Sequence, residues 1–167
     1  MMDHVMLRQL DEESLKALLE VAVSDADPDE TMPPMPGNPG WTTERREKFL
    51  EFFRPMLAGL DGPRATLIYA ITVDGVIAGF IRLARTNRDG VAETGIWLGR
   101  SWRGKGLATE ALKELLTIAA ALGFSSIVAD TSPENAAALG ALRRLGAALR
   151  VHAELIIGPA YAPDLDK

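Results

Sequence analysis

The chain has 167 residues, 47% of them apolar and 25% charged, with a net charge of −5. That length predicts one domain spanning residues 1–167 with a substantial core, and the negative balance argues against a phosphate backbone, so nucleic acid is not an expected partner. No apolar run is long enough to cross a bilayer and no signal-peptide pattern opens the chain, which makes the cytoplasm the expected location and a membrane an unexpected partner.

Cysteine is absent, which removes disulfides, thiolate metal sites and any covalent route through a cysteine thioester. The two histidines, His4 and His152, are far apart, so a His/Cys metal cluster is excluded and no metal is expected.

In chain order, residues 4–10 predict a short first strand. Asp11 can cap a helix with Leu15, Leu18, Leu19 and Ala22 as its apolar stripe. Residues 24–41 are rich in Asp, Pro, Gly and Met and too irregular for a simple connection. The carboxylates of Asp25, Asp27, Asp29 and Glu30 would suit a cationic amine, and would equally be solvated. Met32, Met35 and Trp41 either line a pocket or pack the loop onto the core. Thr42 caps a second helix bearing Phe49, Phe52, Phe53, Met56, Leu57 and Leu60, which Pro55 should kink or break.

From residue 65 the period changes to that of strands. Residues 65–73 and 76–85 predict a hairpin about Asp74-Gly75, and 91–98 a third strand after a turn at 87–90. A glycine run then opens a helix with Ala108, Ala111, Leu112, Leu115, Leu116 and Ala119 on one face, ended at Gly123. Residues 125–130 predict a strand, in a right-handed parallel crossover with 91–98. Ser132 and Pro133 begin a fourth helix that Gly146 ends, and 147–157 reads as one last strand. The fold class is α/β (α+β): a mixed sheet of six to seven strands with about four helices.

The run Arg103-Gly104-Lys105-Gly106-Leu107-Ala108 carries the chemistry. Unpaired N–H groups at a helix start, together with its dipole, attract an anion, and glycines let that anion approach the backbone. Arg103 and Lys105 add positive charge; the same glycines in isolation would mark only a tight turn. Gly99, Gly104 and Lys105 also fit the nucleotide P-loop spacing. However, Gly106 stands where a P-loop needs Ser or Thr for magnesium, and the unit follows antiparallel strands.

The pattern resembles the GNAT acyltransferase superfamily, whose motif Arg/Gln-x-x-Gly-x-Gly/Ala is filled by Arg103, Gly106 and Ala108. Glu93-Thr94-Gly95-Ile96-Trp97-Leu98 is similar to the strand before that motif, and Asn135 with Gly146 to the helix after it. The wording is closest to the branch that includes ribosomal-protein N-acetyltransferases.

The resemblance implies an acyl-CoA-dependent N-acyltransferase, moving acetyl from acetyl-CoA to a primary amine by direct attack in a ternary complex. It implies a cofactor site of Ile96, Trp97, Leu98, Arg103, Gly104, Lys105, Gly106, Leu107, Ala108, Thr109 and Asn135. The fourth and fifth strands would splay to admit the pantetheine arm, with Gly95 and Gly99 permitting a bulge, and an N–H near Leu98 would polarise the thioester. Glu93 would be the general base, with a pKa raised beside an apolar tunnel; by itself it is equally a surface strand glutamate. Asn135 by itself is a first-turn residue supporting the Ser132 cap.

The family's tyrosine acid, seven residues after the asparagine, is replaced by Leu142. That departure keeps open a non-catalytic acyl-CoA-binding module or sensor. Residues 11–60 would form the acceptor side and 65–147 the acyl-CoA core. An uncovered edge at the last strand would favour a homodimer.

Overall fold

The computed structural model describes residues 4–129, together with the main chain of residues 148–149 and 153–156. In the continuous stretch lie β1 (Val5–Gln9), α1 (Glu12–Asp25), α2 (Thr43–Phe53), β2 (Thr66–Val73), β3 (Val76–Arg85), β4 (Val91–Leu98), α3 (Leu107–Ala121) and β5 (Ser126–Ala129). Two short strands follow, β6 (Ala148–Leu149) and β7 (Ala153–Ile156). Three α-helices are therefore present among the described residues. The fourth helix expected after Ser132, with Asn135, Leu142 and Gly146, lies outside them.

The strands form one mixed sheet in the order β1-β2-β3-β4-β5-β7-β6. β1 to β4 are a meander of antiparallel neighbours, and β4 pairs with β5 in parallel across the α3 crossover. The single last strand expected over 147–157 is instead two, β6 and β7, paired antiparallel with Ala148 opposite Glu154 and Leu149 opposite Ala153. No Gly, Pro, Asn or Asp stands between them to announce a turn, and for that reason the break was invisible in the sequence.

Local chemistry accounts for the elements. Asp11 accepts from the Ser14 N–H at 2.8 Å while Ser14 Oγ accepts from the Asp11 N–H at 2.9 Å, a reciprocal cap on α1. Thr42 Oγ1 accepts from the Arg45 N–H at 3.2 Å to start α2. Pro55 stops α2 as expected, and the chain continues as a 3-10 turn over Arg54–Ala58. Asp74 and Gly75 both have positive φ, 49° and 84°, the geometry a tight two-residue hairpin turn demands.

Alternation in the strands divides the core. One face of the sheet carries Ile71, Ile81, Leu83, Ala92 and Leu98 against the Leu112, Leu115 and Leu116 stripe of α3. The other carries Ile68, Ala70, Phe80 and Trp97 against Leu15 and Leu18 of α1 and Phe49 and Phe53 of α2. An aromatic chain links that second layer, with ring centroids 4.6 Å apart for Phe49–Phe53, 5.1 Å for Phe53–Phe80 and 6.0 Å for Phe80–Trp97.

Candidate active site

The site is built at the Gly99 end of β4 and the start of α3. The β4–β5 ladder runs from Val91–Ser126 to Thr94–Ala129, and beyond Thr94 the described part of β5 offers no partner. On its other side β4 stays paired with β3 all the way to Gly79–Leu98. The Gly99 N–H donates to the Ala78 carbonyl at 2.9 Å. Alternation along an antiparallel ladder then turns the main-chain groups of Gly95 and Trp97 towards β3, and those of Ile96 and Leu98 away from it, to the side on which β5 pairs. The Leu98 carbonyl confirms that direction by accepting from Arg103 Nε at 3.0 Å. Ile96 and Leu98 thus present a strip of backbone of the kind an extended ligand can pair with.

The bulge expected in β4 at Gly95 or Gly99 is not there, because the β3–β4 register runs without a shift. The irregularity lies one strand over, between Ile71 and Thr72, where Ala78 of β3 is the extra residue. Beside it, a Cβ on Gly79 would stand 1.9 Å from the Trp97 carbonyl oxygen, so only glycine permits this approach of β3 to β4. Gly95 and Gly99 have other uses. A Cβ on Gly95 would stand 2.8 Å from Arg82 Nε, and one on Gly99 2.3 Å from Asp25 Oδ2. Each glycine clears a path for a charged side chain.

The path over Gly95 leads to Glu93. Arg82 Nη2 donates to Glu93 Oε1 at 3.1 Å, and the glutamate side chain is 42% exposed. Glu93 shares the α1/α2 face of the sheet with Trp97, whose indole N–H is buried with no acceptor among the described residues. Register places Val128 beside Glu93 and Glu154 beyond Val128.

The glycine run stands as expected at the start of α3. Gly104 and Gly106 both have φ of +78°, and a Cβ on either would meet nothing within 4 Å, so they border open space. Gly106 is the N-cap and no side chain caps the helix. The first-turn donors and the positive end of the dipole therefore face that space. Leu107 and Ala108 are buried in the core on the α3 side, so they contribute main chain there, and Thr109 follows half-buried. Lys105 Nζ lies 5.3 Å from the centre of the Trp102 ring.

Arg103 reaches back to Leu98 and stands 3.7 Å from Glu30, so its charge is shared with the acceptor side. The acidic residues after α1 are likewise committed. Arg100 Nη2 donates to Asp27 at 2.7 Å and Glu30 at 3.3 Å, and Asp27, then Glu30, raise its pKa above the usual arginine value. Asp25 accepts from the Ser101 N–H and hydroxyl. Three of the four carboxylates thus hold cations or donors of this chain, which the sequence reading missed. Trp41 packs the loop down, its Nε1–H donating to the Ala26 carbonyl at 2.8 Å. Asn135 lies outside the described residues.

A glycine-flanked helix start beside a parallel strand pair offers main-chain donors to an anion. Residues 4–148 match the model of the acetyltransferase (GNAT) domain, and the chain belongs to that family. It is 29% identical over 120 residues to YdaF of Bacillus subtilis (strain 168), named a putative ribosomal N-acetyltransferase; the match spans 70% of this chain and 62% of that relative. RimJ of Mycobacterium smegmatis, solved with a CoA disulfide, superposes with a TM-score of 0.70 at 20% identity, covering 91% of this chain and 81% of RimJ. RimL, a ribosomal L7/L12 alpha-N-protein acetyltransferase solved with coenzyme A, superposes at 0.65 and 20% identity over 92% of this chain and 94% of that one. These two likenesses are of fold.

Proposed function

We propose that the protein transfers acetyl from acetyl-CoA to a primary amine, by direct attack in a ternary complex. The observation that carries this is the pairing of two features at one end of β4: an uncapped helix start behind Gly104 and Gly106, and the main-chain groups of Ile96 and Leu98 turned away from β3. The first suits a diphosphate and the second a pantetheine amide chain.

In this reading the main-chain N–H groups of α3, with Arg103 and Lys105, hold the diphosphate. The Leu98 N–H donates to the thioester oxygen, where negative charge develops. Glu93, held by Arg82, takes the amine's proton directly or through one water. The amine nitrogen bonds to the acyl carbon, the carbon–sulfur bond breaks, and the electron pair leaves on the sulfur. The indole N–H of Trp97, without an acceptor among the described residues, is a donor for a substrate oxygen on the same face. Residues 11–60 form the acceptor side and 65–147 the acyl-CoA core.

The ribosomal N-acetyltransferase relatives favour a protein N-terminus as the amine. The test is thiol release from acetyl-CoA with a panel of peptides bearing free N-termini, amino acids and small amines. Release with free but not blocked N-termini is expected, and silence across the panel would remove the enzymatic reading. With an accepted amine, Glu93→Gln should lower kcat by about a hundredfold or more. Unchanged turnover would remove Glu93 as the base.

A further inference from the structure

Building on the acyltransferase reading, we propose that Asp25, at the C-terminal end of α1, is a positioning residue for the transfer. It holds the turn at residues 99–101 and thereby fixes the Leu98 amide and the α3 cradle relative to each other.

The contact has three bonds. The Ser101 N–H donates to both Asp25 oxygens at 3.1 Å, and the Ser101 hydroxyl donates to Oδ2 at 2.6 Å. Hydrogen bonds to an ionised acceptor are the strong kind. The carboxylate sits where Gly99 would carry its side chain, since a Cβ there would be 2.3 Å from Oδ2, 3.0 Å from Cγ and 3.2 Å from the Asp25 Cβ. Gly99 has φ of −56° and ψ of 148°, a conformation any residue adopts. What demands glycine at this position is the carboxylate, not the backbone.

The turn that Asp25 grips lies between the two groups that must act together. Upstream is Leu98, with its N–H turned away from β3. Downstream, a short 3-10 turn, closed by Trp102 N–H to Gly99 carbonyl at 2.9 Å, leads to Arg103 and the glycines. The same acidic segment holds Arg100 through Asp27 and Arg103 through Glu30. Those ion pairs are about half-exposed, and pairs of that kind contribute little alone. Asp25 is the member with directional bonds to the main chain of the turn at residues 99–101. A displacement of about 1 Å in such a frame is enough to cost two orders of magnitude in rate. Because Asp25 belongs to the acceptor-side helix, it also ties that side mechanically to the cofactor side.

The test is calorimetric titration of the full chain with CoA, with the ligand-free melting temperature of each variant measured beside it. Asp25→Ala should weaken CoA binding about tenfold, while Asp25→Asn, which keeps an acceptor for Ser101, should stay within about threefold. Gly99→Ala should reproduce the Asp25→Ala loss, because its methyl expels the carboxylate. The double variant should bind no more weakly than Gly99→Ala, because both changes break one contact. Ser101→Ala, which leaves the N–H bonds, should lose about threefold and serves if the others fail to fold. All of these losses should appear with melting temperatures within a few degrees of wild type. Affinities within about twofold of wild type in Asp25→Ala and Gly99→Ala, an Asn variant as weak as Ala, or multiplying losses in the double variant would overturn the role of Asp25. If the wild-type chain itself bound no CoA, the acyltransferase reading would fail first.

Discussion

Two kinds of glycine meet in this site, and they act differently. Gly104 and Gly106 have left-handed φ and border open space, so a methyl at Gly106 would strain the backbone and fill the approach of a ligand. Gly106→Ala should therefore weaken CoA binding at least tenfold, by calorimetry, and binding unchanged within about twofold would show that nothing approaches the helix start closely. Gly79, Gly95 and Gly99 instead make room for neighbours within the protein. The cradle glycines were legible because they stand in a run before an amphipathic helix. The others were not, because what crowds them, the Trp97 carbonyl, the Arg82 guanidinium and the Asp25 carboxylate, arrives from elsewhere in the chain. The engagement of Asp25, Asp27 and Glu30 was hidden for the same reason: Ser101 and Arg100, which they hold, lie 70 to 76 residues away.

At the scale of the element, local signals did most of the work. Strand alternation, the Asp-Gly turn, the Thr42 cap and the break at Pro55 each have a nearby cause, and the structure shows each of them. The failure fell at β6 and β7, where strand pairing makes a hairpin without turn residues to mark it. The α1 cap supplies a pH test. The Ser14 N–H and hydroxyl hold the Asp11 carboxyl below its usual pKa, so the folded state favours the ionised form. A depressed folded pKa stabilises above the unfolded value and is lost as pH falls through the folded value. Asp11→Ala should melt below wild type at pH 7, with a gap that narrows as pH drops below the usual aspartate value of 3.8. A gap independent of pH would show that the carboxylate charge has no part in the cap.

For the whole molecule, the informative feature is one sheet with different work on its two faces. The face packed by α3 is continuous core. The face packed by α1 and α2 carries Glu93, Arg82 and the buried indole of Trp97. The mixed sheet and the parallel β4–β5 pair followed from the sequence, because a helix between two strands requires a crossover. The location of the bulge between β2 and β3 did not, since a bulge depends on pairing between strands. Among the described residues the sheet ends at β1 and at β6. Unpaired groups on such edges are the basis for expecting a homodimer. Light scattering at micromolar concentration should then report twice the chain mass, and a single-chain mass would remove the dimer.

The central claim is that backbone donors at the start of α3 hold the diphosphate of coenzyme A. Calorimetry of the intact protein with CoA and with pantetheine, which lacks the diphosphate, tests it most directly. CoA should bind with a Kd in the micromolar range, about −8 kcal/mol, and pantetheine should bind at least a hundredfold more weakly. Equal affinity for the two, or no heat with CoA, would contradict the account.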